Sequence, residues 1–164
     1  MKRVIELLNR LLDKKIIDKY AIGGSVAVIF FTEPFETKDL DIFIPVVLSK
    51  GLVDMSSIFD ELKRDIAIKD QFFVVDGIFL EFVPVYDSLT SEALDTRILK
   101  EDVYVVKPEY SFAIALKTGR PKDYIKIEML LSYVQNLDWE LLEVLLKKYN
   151  LWEKWKKYEE RREV

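Results

Sequence analysis

Residues 72–83 place the tightest constraint on the fold. Phe72-Phe73-Val74-Val75 and Ile78-Phe79-Leu80-Glu81-Phe82-Val83 are two β-prone runs separated only by Asp76-Gly77. A two-residue connection between twisted strands needs positive φ at both central positions, and Asp-Gly is one of the few pairs that accept it. The stretch therefore predicts a hairpin with a type I′ turn and commits the chain to a sheet with an antiparallel pair. Its length of 164 residues suits one domain, and no repeat, low-complexity tract or Ser/Gly-rich linker divides it.

The other elements follow from periodicity and punctuation. Val4, Leu7, Leu8, Leu11 and Leu12 fall on one stripe of an amphipathic helix over residues 2–15. A short strand at 20–22 runs into Gly23-Gly24-Ser25, and the uniformly apolar stretch 26–31 reads as a short buried helix. A polar loop (32–38) leads to a strand at 40–44. Asp54 is expected to cap a helix reaching about Arg64, with Ile58, Phe59 and Leu62 inward. After the hairpin come a short helix at 90–99, a strand at 103–106, and a helix from Pro108 to 116 or 117. Gly119-Arg120-Pro121 breaks that helix. The remainder is helical: 121–135, 139–148 behind an Asp138 cap, and 151–163, which carries Leu151, Trp152, Trp155 and Tyr158 on a charged surface. The order implies an α+β (mixed α/β) fold, a mixed sheet flanked by helices on one face with a helical C-terminal segment. The expected core covers about 18–135 and the helical extension about 136–164.

Two absences bound the chemistry. The chain has no cysteine and no histidine, so thiolate zinc sites, thiol nucleophiles, imidazole bases and His-ligated metals are excluded. Catalysis would have to run on carboxylates, Lys, Arg, hydroxyls and backbone amides. A catalytic metal would need hard oxygen ligands, which points to Mg²⁺ or Mn²⁺. The net charge of −4 argues against non-specific nucleic-acid binding by the bulk surface. No apolar stretch approaches a membrane span and the charged N-terminus has no signal-peptide core, so a cytoplasmic location is expected. Abundant Lys and Glu with scarce Gln and Asn resemble a thermophile's composition.

Three features offer chemistry. Gly23-Gly24-Ser25 at a strand–helix junction lets backbone approach a phosphate, with helix N–H groups and the Ser25 hydroxyl as donors; the same pair also makes an ordinary tight turn. Asp39-Leu40-Asp41 puts two carboxylates on one face of a strand, where they repel unless solvated or bridged by a cation. Glu81 is the lone charge in an apolar strand, costly there unless paired, exposed or ligating. If its strand runs beside 40–44, Glu81 shares the face of Asp39 and Asp41.

In combination these features resemble the nucleotidyltransferase superfamily, the fold of the polymerase-β palm. Thr37-Lys38-Asp39-Leu40-Asp41-Ile42 is close to the T-x-D-hydrophobic-D core of the prokaryotic minimal branch that includes AbiEii-type toxins. The stretch from Phe112 through Lys117-Thr118-Gly119-Arg120-Pro121-Lys122-Asp123 is similar to that branch's second motif. The resemblance implies transfer of a nucleoside monophosphate from an NTP to an acceptor hydroxyl on tRNA, protein or a small molecule. It implies Mg²⁺ (or Mn²⁺) held by Asp39, Asp41 and Glu81 as the catalytic carboxylates, with Gly23, Gly24 and Ser25 at the phosphates and Lys117 and Lys122 neutralising charge. A toxin-like role with a protein antitoxin would follow from the same branch. Two positions depart from its pattern: the third carboxylate is Glu81 rather than Asp, and Phe35 stands where relatives carry Arg. Both suit a second reading, a catalytically degenerate fold that binds nucleotide or protein. A third is a carboxylate-metal nuclease or phosphohydrolase. Read on their own, Lys117 is equally a solvated helix end, Asp123 a partner for Arg120 or Lys122 in a structural turn, and the C-terminal aromatics packing or a partner surface.

Overall fold

The computed structural model describes residues 1–162. Eight helices and nine strands follow in order: α1 (Lys2–Asp13), β1 (Ala21–Ile22), α2 (Gly24–Ile29), β2 (Asp39–Pro45), β3 (Leu48–Ser49), β4 (Leu52–Val53), α3 (Ser56–Leu62), β5 (Ala67–Lys69), β6 (Phe72–Val75), β7 (Ile78–Val85), α4 (Ser88–Asp95), β8 (Ile98–Lys100), β9 (Val103–Val105), α5 (Pro108–Thr118), α6 (Pro121–Tyr133), α7 (Trp139–Lys148) and α8 (Trp152–Arg162). Seven strands form one mixed sheet in the order β5-β6-β7-β2-β1-β9-β8, and β3 and β4 pair separately. The fold is thus α+β, with a mixed sheet, flanking helices and a helical C-terminal segment.

The hairpin forms as expected. Asp76 and Gly77 take φ of 51° and 79°, and Val75 pairs with Ile78. The long strand β7 then crosses back to run parallel to β2 in a register from Asp39–Phe79 to Pro45–Val85. On the other side of β2, β1 pairs antiparallel through Ala21–Phe43 and Ile22–Ile42, and β9 runs parallel to β1. Tyr20 anchors that side: its ring meets Tyr104 edge-on at 5.7 Å and its hydroxyl accepts from the Tyr104 amide at 3.4 Å.

The two sheet faces differ. Leu40, Ile42 and Ile44 of β2, with Leu80 and Phe82 of β7, are buried on one face. Phe73 lies edge-on to Phe82 there, and Phe59 of α3 covers Phe73 at a centroid separation of 4.9 Å. The helix α1 joins this layer through its buried stripe Val4, Leu7, Leu8 and Leu11, and Arg10 and Lys14 bridge to Glu61 of α3. The opposite face carries Asp39, Asp41 and Phe43 beside Glu81 and Val83. The helices α2, α5 and α6 stand against it, so helices cover both faces rather than one.

Local chemistry sets most boundaries. Pro108 opens α5, and Gly119 closes it in the left-handed conformation at φ 66°. The Asp87 and Asp138 carboxylates cap α4 and α7. Differences from the sequence expectation are local. Met55 rather than Asp54 is the capping residue of α3, although the Asp54 carboxylate still accepts from the Ser56 amide at 2.9 Å. Phe59 covers Phe73 but keeps 37 % of its surface exposed. The helix expected over 90–99 stops at Asp95, because Ile98-Leu99-Lys100 pairs with β9 as an edge strand. The short strands β3, β4 and β5 had no distinct pattern. Glu163, the last residue of the expected 151–163 helix, lies outside the described residues.

The C-terminal helices pack onto α5. Phe112 meets Trp155 edge-on at 5.2 Å, and the Glu109 carboxylate accepts from the Asp138 amide at 2.9 Å. No helix among the described residues is long and apolar enough to cross a membrane. Leu80 is fully buried in the parallel pair, so Leu80→Ala is expected to lower unfolding free energy by about 2–5 kcal/mol. Urea denaturation checks this, and a loss below about 1 kcal/mol would show that β7 is not part of the central core.

Candidate nucleotide site

The close approach of β1–α2 to β2 builds the site. Gly23 donates its amide to the Asp41 carbonyl at 2.9 Å. A β-carbon on Gly23 would lie 2.6 Å from the Phe43 ring, and one on Gly24 would fall inside the Asp41 carboxylate. Gly24 also takes φ of 58°, a conformation that side chains rarely adopt. Both glycines are therefore required by contact, and the turn presses its backbone against the first carboxylate.

Asp41 and Glu81 are paired residues of β2 and β7. On parallel neighbouring strands, residues in register project to the same face, so these carboxylates face the same cavity. Burial pushes the Asp41 carboxyl above its ordinary pKa; Asp39 adds to the rise, while Lys126, Lys122 and Arg120 oppose it. Burial likewise raises Glu81, reinforced by Asp41 and Asp39 and opposed by Lys122. Both shifts come first from burial, which disfavours the charged form, and at Glu81 the neighbouring Asp41 and Asp39 add to it.

The cavity, about 280 Å³, lies between this sheet face and the helices α5 and α6. Its helical wall contributes Ser111, Arg120, Asp123 and Lys126. Asp123, 1 % exposed, accepts from Arg120 at 2.8 Å and from Lys126 at 2.9 Å. Burial alone would push the Asp123 carboxyl up, but these two cations hold it below its ordinary value. The pairing of Asp123 with Arg120 agrees with the structural-turn reading, while the second partner is Lys126 rather than Lys122. The buried Ser111 hydroxyl has no hydrogen-bond partner among the described residues, which leaves a donor and acceptor available to a bound molecule.

A second hollow of about 380 Å³ adjoins along β2, lined by Ser25, Phe35, Asp39 and Lys122. Asp39 thus opens beside Ser25 and Lys122, whereas Asp41 and Glu81 face the helical cavity. Lys117 is drawn elsewhere: its ammonium lies 3.1 Å from Asp87, the α4 cap, and it does not line either hollow. Lys126, Arg120 and Ser111 were not among the expected site residues. Lys126 and Ser111 are buried positions of α6 and α5, and only the tertiary packing turns them into the cavity.

Among the described residues no group of three or more His, Cys, Asp or Glu side chains is gathered as a metal centre. The donor set nonetheless suits a hard cation. Mg²⁺ is commonly held by one or two carboxylates and completed by water and substrate phosphates, and Asp41 and Glu81 are two under-compensated carboxylates on one surface.

No protein-family model matches the sequence, and no curated protein does. Solved structures do show similarity. An antigenic nucleotidyltransferase-like protein from Paracoccidioides brasiliensis is 21% identical and superposes with a TM-score of 0.56, covering 94% of this chain and 91% of that one. ANT(2″)-Ia in complex with adenylyl-2″-tobramycin is 13% identical with a TM-score of 0.53, covering 90% and 95%. The solution structure of ANT(2″)-Ia, an antibiotic-resistance factor, is 12% identical with a TM-score of 0.54, covering 99% and 98%. At these identities the similarity is one of fold, and it extends through the C-terminal helices as well as the 18–135 core.

Two stability measurements test this electrostatic arrangement. A carboxyl with a raised native pKa loses stability as pH rises through that value. Asp41→Asn is therefore expected to raise the metal-free unfolding midpoint near neutral pH, by about 2–4 °C for each kcal/mol relieved, with a gain that shrinks on acidification. An unchanged midpoint would mean that burial beside Asp39 does not penalise the Asp41 charge. Asp123→Asn should act oppositely, because it strands the buried Lys126 ammonium; a loss of about 3 kcal/mol is expected. A neutral result in urea denaturation would show that the pair is solvated.

Proposed function

We propose that this chain transfers a nucleoside monophosphate from an NTP to an acceptor hydroxyl, breaking the α–β phosphoanhydride bond and releasing pyrophosphate and the hydroxyl proton. One observation carries the reading: Asp41 and Glu81 stand in register on parallel strands, against a Gly-Gly turn whose backbone touches Asp41. The nucleotidyltransferase-like fold of the similar structures supports it.

In this reading Asp41 and Glu81 would hold Mg²⁺ or Mn²⁺ in the cavity, with Asp39 opening into the adjoining hollow. When bound, the metal polarises the transferred phosphate and lowers the pKa of an oxygen it contacts. The chain's own groups do the positioning. Gly23 and Gly24 let phosphate oxygens approach backbone without a side chain in the way, and Ser25 offers a hydroxyl beside Lys122 in the adjoining hollow. Lys122 neutralises phosphate charge there; Lys117, engaged by Asp87, contributes only if that exposed pair opens. Glu81, whose carboxyl is raised by burial and by Asp41 and Asp39, would be relieved by a bound cation and so serves as a ligand. Ser111, unpartnered in the cavity wall, hydrogen-bonds whatever occupies it. The similarity to ANT(2″)-Ia, solved with an adenylylated antibiotic, makes a small hydroxyl-bearing molecule one acceptor. The resemblance to the AbiEii-type branch makes tRNA or a protein another, with a toxin-like role inside the cell.

One observation favours a second reading, a nucleotide-binding module without transfer. Lys126 already places an ammonium among the carboxylates, tied to Asp123 at 2.9 Å, and so satisfies part of the charge that a metal would.

Thermal unfolding with each of ATP, GTP, CTP and UTP, with and without Mg²⁺, distinguishes these readings. Transfer chemistry is expected to show stabilisation by at least one NTP only with metal, about 2–3 kcal/mol at a hundredfold excess over Kd, lost in Asp41→Asn. α-Labelled NTP should then leave its label on an acceptor. Because both carboxyls are raised, the metal-dependent shift should fade on acidification before an ordinary carboxylate would protonate. Nucleotide stabilisation without metal, kept in Asp41→Asn, would establish the binding module instead. No stabilisation at all would remove both.

A further inference from the structure

Outside the cavity, the C-terminal helix separates its charges by face. On α8, Lys154, Lys157, Tyr158, Arg161 and Arg162 recur at the three- and four-residue spacing of one helical stripe. Trp155 turns into the core against Phe112, and Glu153 pairs with Lys156 off the stripe. Glu159 and Glu160 also fall outside it by the same spacing. An acidic chain thus presents one cationic edge.

That edge borders a groove of about 430 Å³ between α6 and α8. Tyr124 of α6 stacks on Tyr158 at 4.9 Å with the rings inclined by 22°. Glu128 is the carboxylate facing this edge from α6, and it is engaged by the Tyr158 hydroxyl and by Arg162 at 2.7 Å. Among the described residues Lys154, Lys157 and Arg161 have no carboxylate partner. Lys154 instead donates to the Lys117 carbonyl at 3.2 Å, at the end of α5. The groove begins where the cavity ends: Asp123 lines the cavity and its neighbour Tyr124 lines the groove, both in the first turn of α6. Arg120 and Lys122, at the same turn, continue the positive charge toward the carboxylates.

We propose that the groove between α6 and α8 binds a single-stranded polynucleotide, with its phosphates on Lys154, Lys157 and Arg161 and a base against the Tyr124–Tyr158 pair. Unpaired cations spaced along a helix match a repeating anion. Tyr158 is half-buried between Tyr124 and Trp155, so the ring beside the cations that meets a base is that of Tyr124, a flat apolar surface on which bases of any sequence stack. An acidic polypeptide would use the cations but has no use for the stacked rings. The cationic stripe from 154 to 161 spans about 10 Å at the α-helical rise, enough for a few consecutive phosphates. Binding here does not depend on the transfer reaction.

Fluorescence anisotropy of a short labelled oligouridylate, with oligothymidylate in parallel and no NTP present, tests the proposal. Binding to either is expected at low salt, with a log–log salt slope of about −2 for three neutralised phosphates. The exposed double substitution Lys157→Glu/Arg161→Glu should weaken binding by about tenfold or more and leave the melting midpoint unchanged. Tyr124→Ala should weaken it by about fivefold or more. No binding at low salt would overturn the proposal, as would equal binding by the charge-reversed protein. Competition by polyglutamate as effective as that by oligouridylate would also overturn it, in favour of an acidic polypeptide. The Mg²⁺-dependent NTP stabilisation reads the cavity alone. Its absence with oligonucleotide binding intact strikes the transfer reading, and its presence without oligonucleotide binding strikes the groove.

Discussion

The parallel pairing of β2 with β7 is the constraint on which the rest depends. It buries Leu40, Ile42 and Leu80 on one face of the sheet, and by the same register sets Asp41 beside Glu81 on the other. Slipping either strand by one residue would turn the apolar set outward and the carboxylates into the core. Core stability and site geometry are therefore one requirement. The sheet can hold two carboxylates in mutual repulsion because the opposite face secures the register that places them there.

Positive charge around this pair comes from α6. Lys126 and Arg120 both bond Asp123, so their positions are set by a buried carboxylate instead of by Asp41 or Glu81. That division matters for chemistry. Cations fixed by a third group moderate the carboxylates without neutralising them, and both Asp41 and Glu81 keep a raised pKa. Under the proposed function that leaves the pair able to take a further cation, and the Asp123–Lys126 bond keeps the Lys126 ammonium from filling that role.

Much of this was legible in the sequence where a local rule had only one solution. Asp76-Gly77 allows a single kind of turn, and the hairpin formed in the expected register. The alternation in Asp39-Leu40-Asp41-Ile42 separated a buried set from a carboxylate set, and the strand bears it out. Gly23 and Gly24 were recognisable as a turn, but their necessity was not, since it comes from Phe43 and Asp41 pressing on them from another strand. Ile98-Leu99 looked like the end of a helix because the two-residue turn that pairs it with β9, Glu101-Asp102 at φ 48° and 67°, has no glycine to mark it. Pairing across long separations left no local signal either. Lys117 looked like a phosphate ligand because its motif ends a helix there, while Asp87, thirty positions earlier, decides where its ammonium goes. Lys126 looked like one more helix charge until α6 was laid over the sheet.

The fold does not by itself fix the reaction, because one scaffold hosts many chemistries and activity resides in the side chains placed on it. At 12–21% identity to the similar structures, those side chains have had ample room to change. Two features of this chain narrow the choice. With no histidine or cysteine, any proton transfer in the cavity would fall to carboxylates, and of the three that line it Asp41 and Glu81 are raised by burial while Asp123 is held low by its two cations. Lys154, Lys157 and Arg161, which have no carboxylate partner among the described residues, lie outside the cavity on α8. A polyanion would be held by the helical segment, and its reacting end brought to carboxylates that repel anions on their own. That arrangement demands either a metal between the carboxylates and the phosphate or an approach past Arg120 and Lys122, and the turn that begins α6 is the one place where both routes meet.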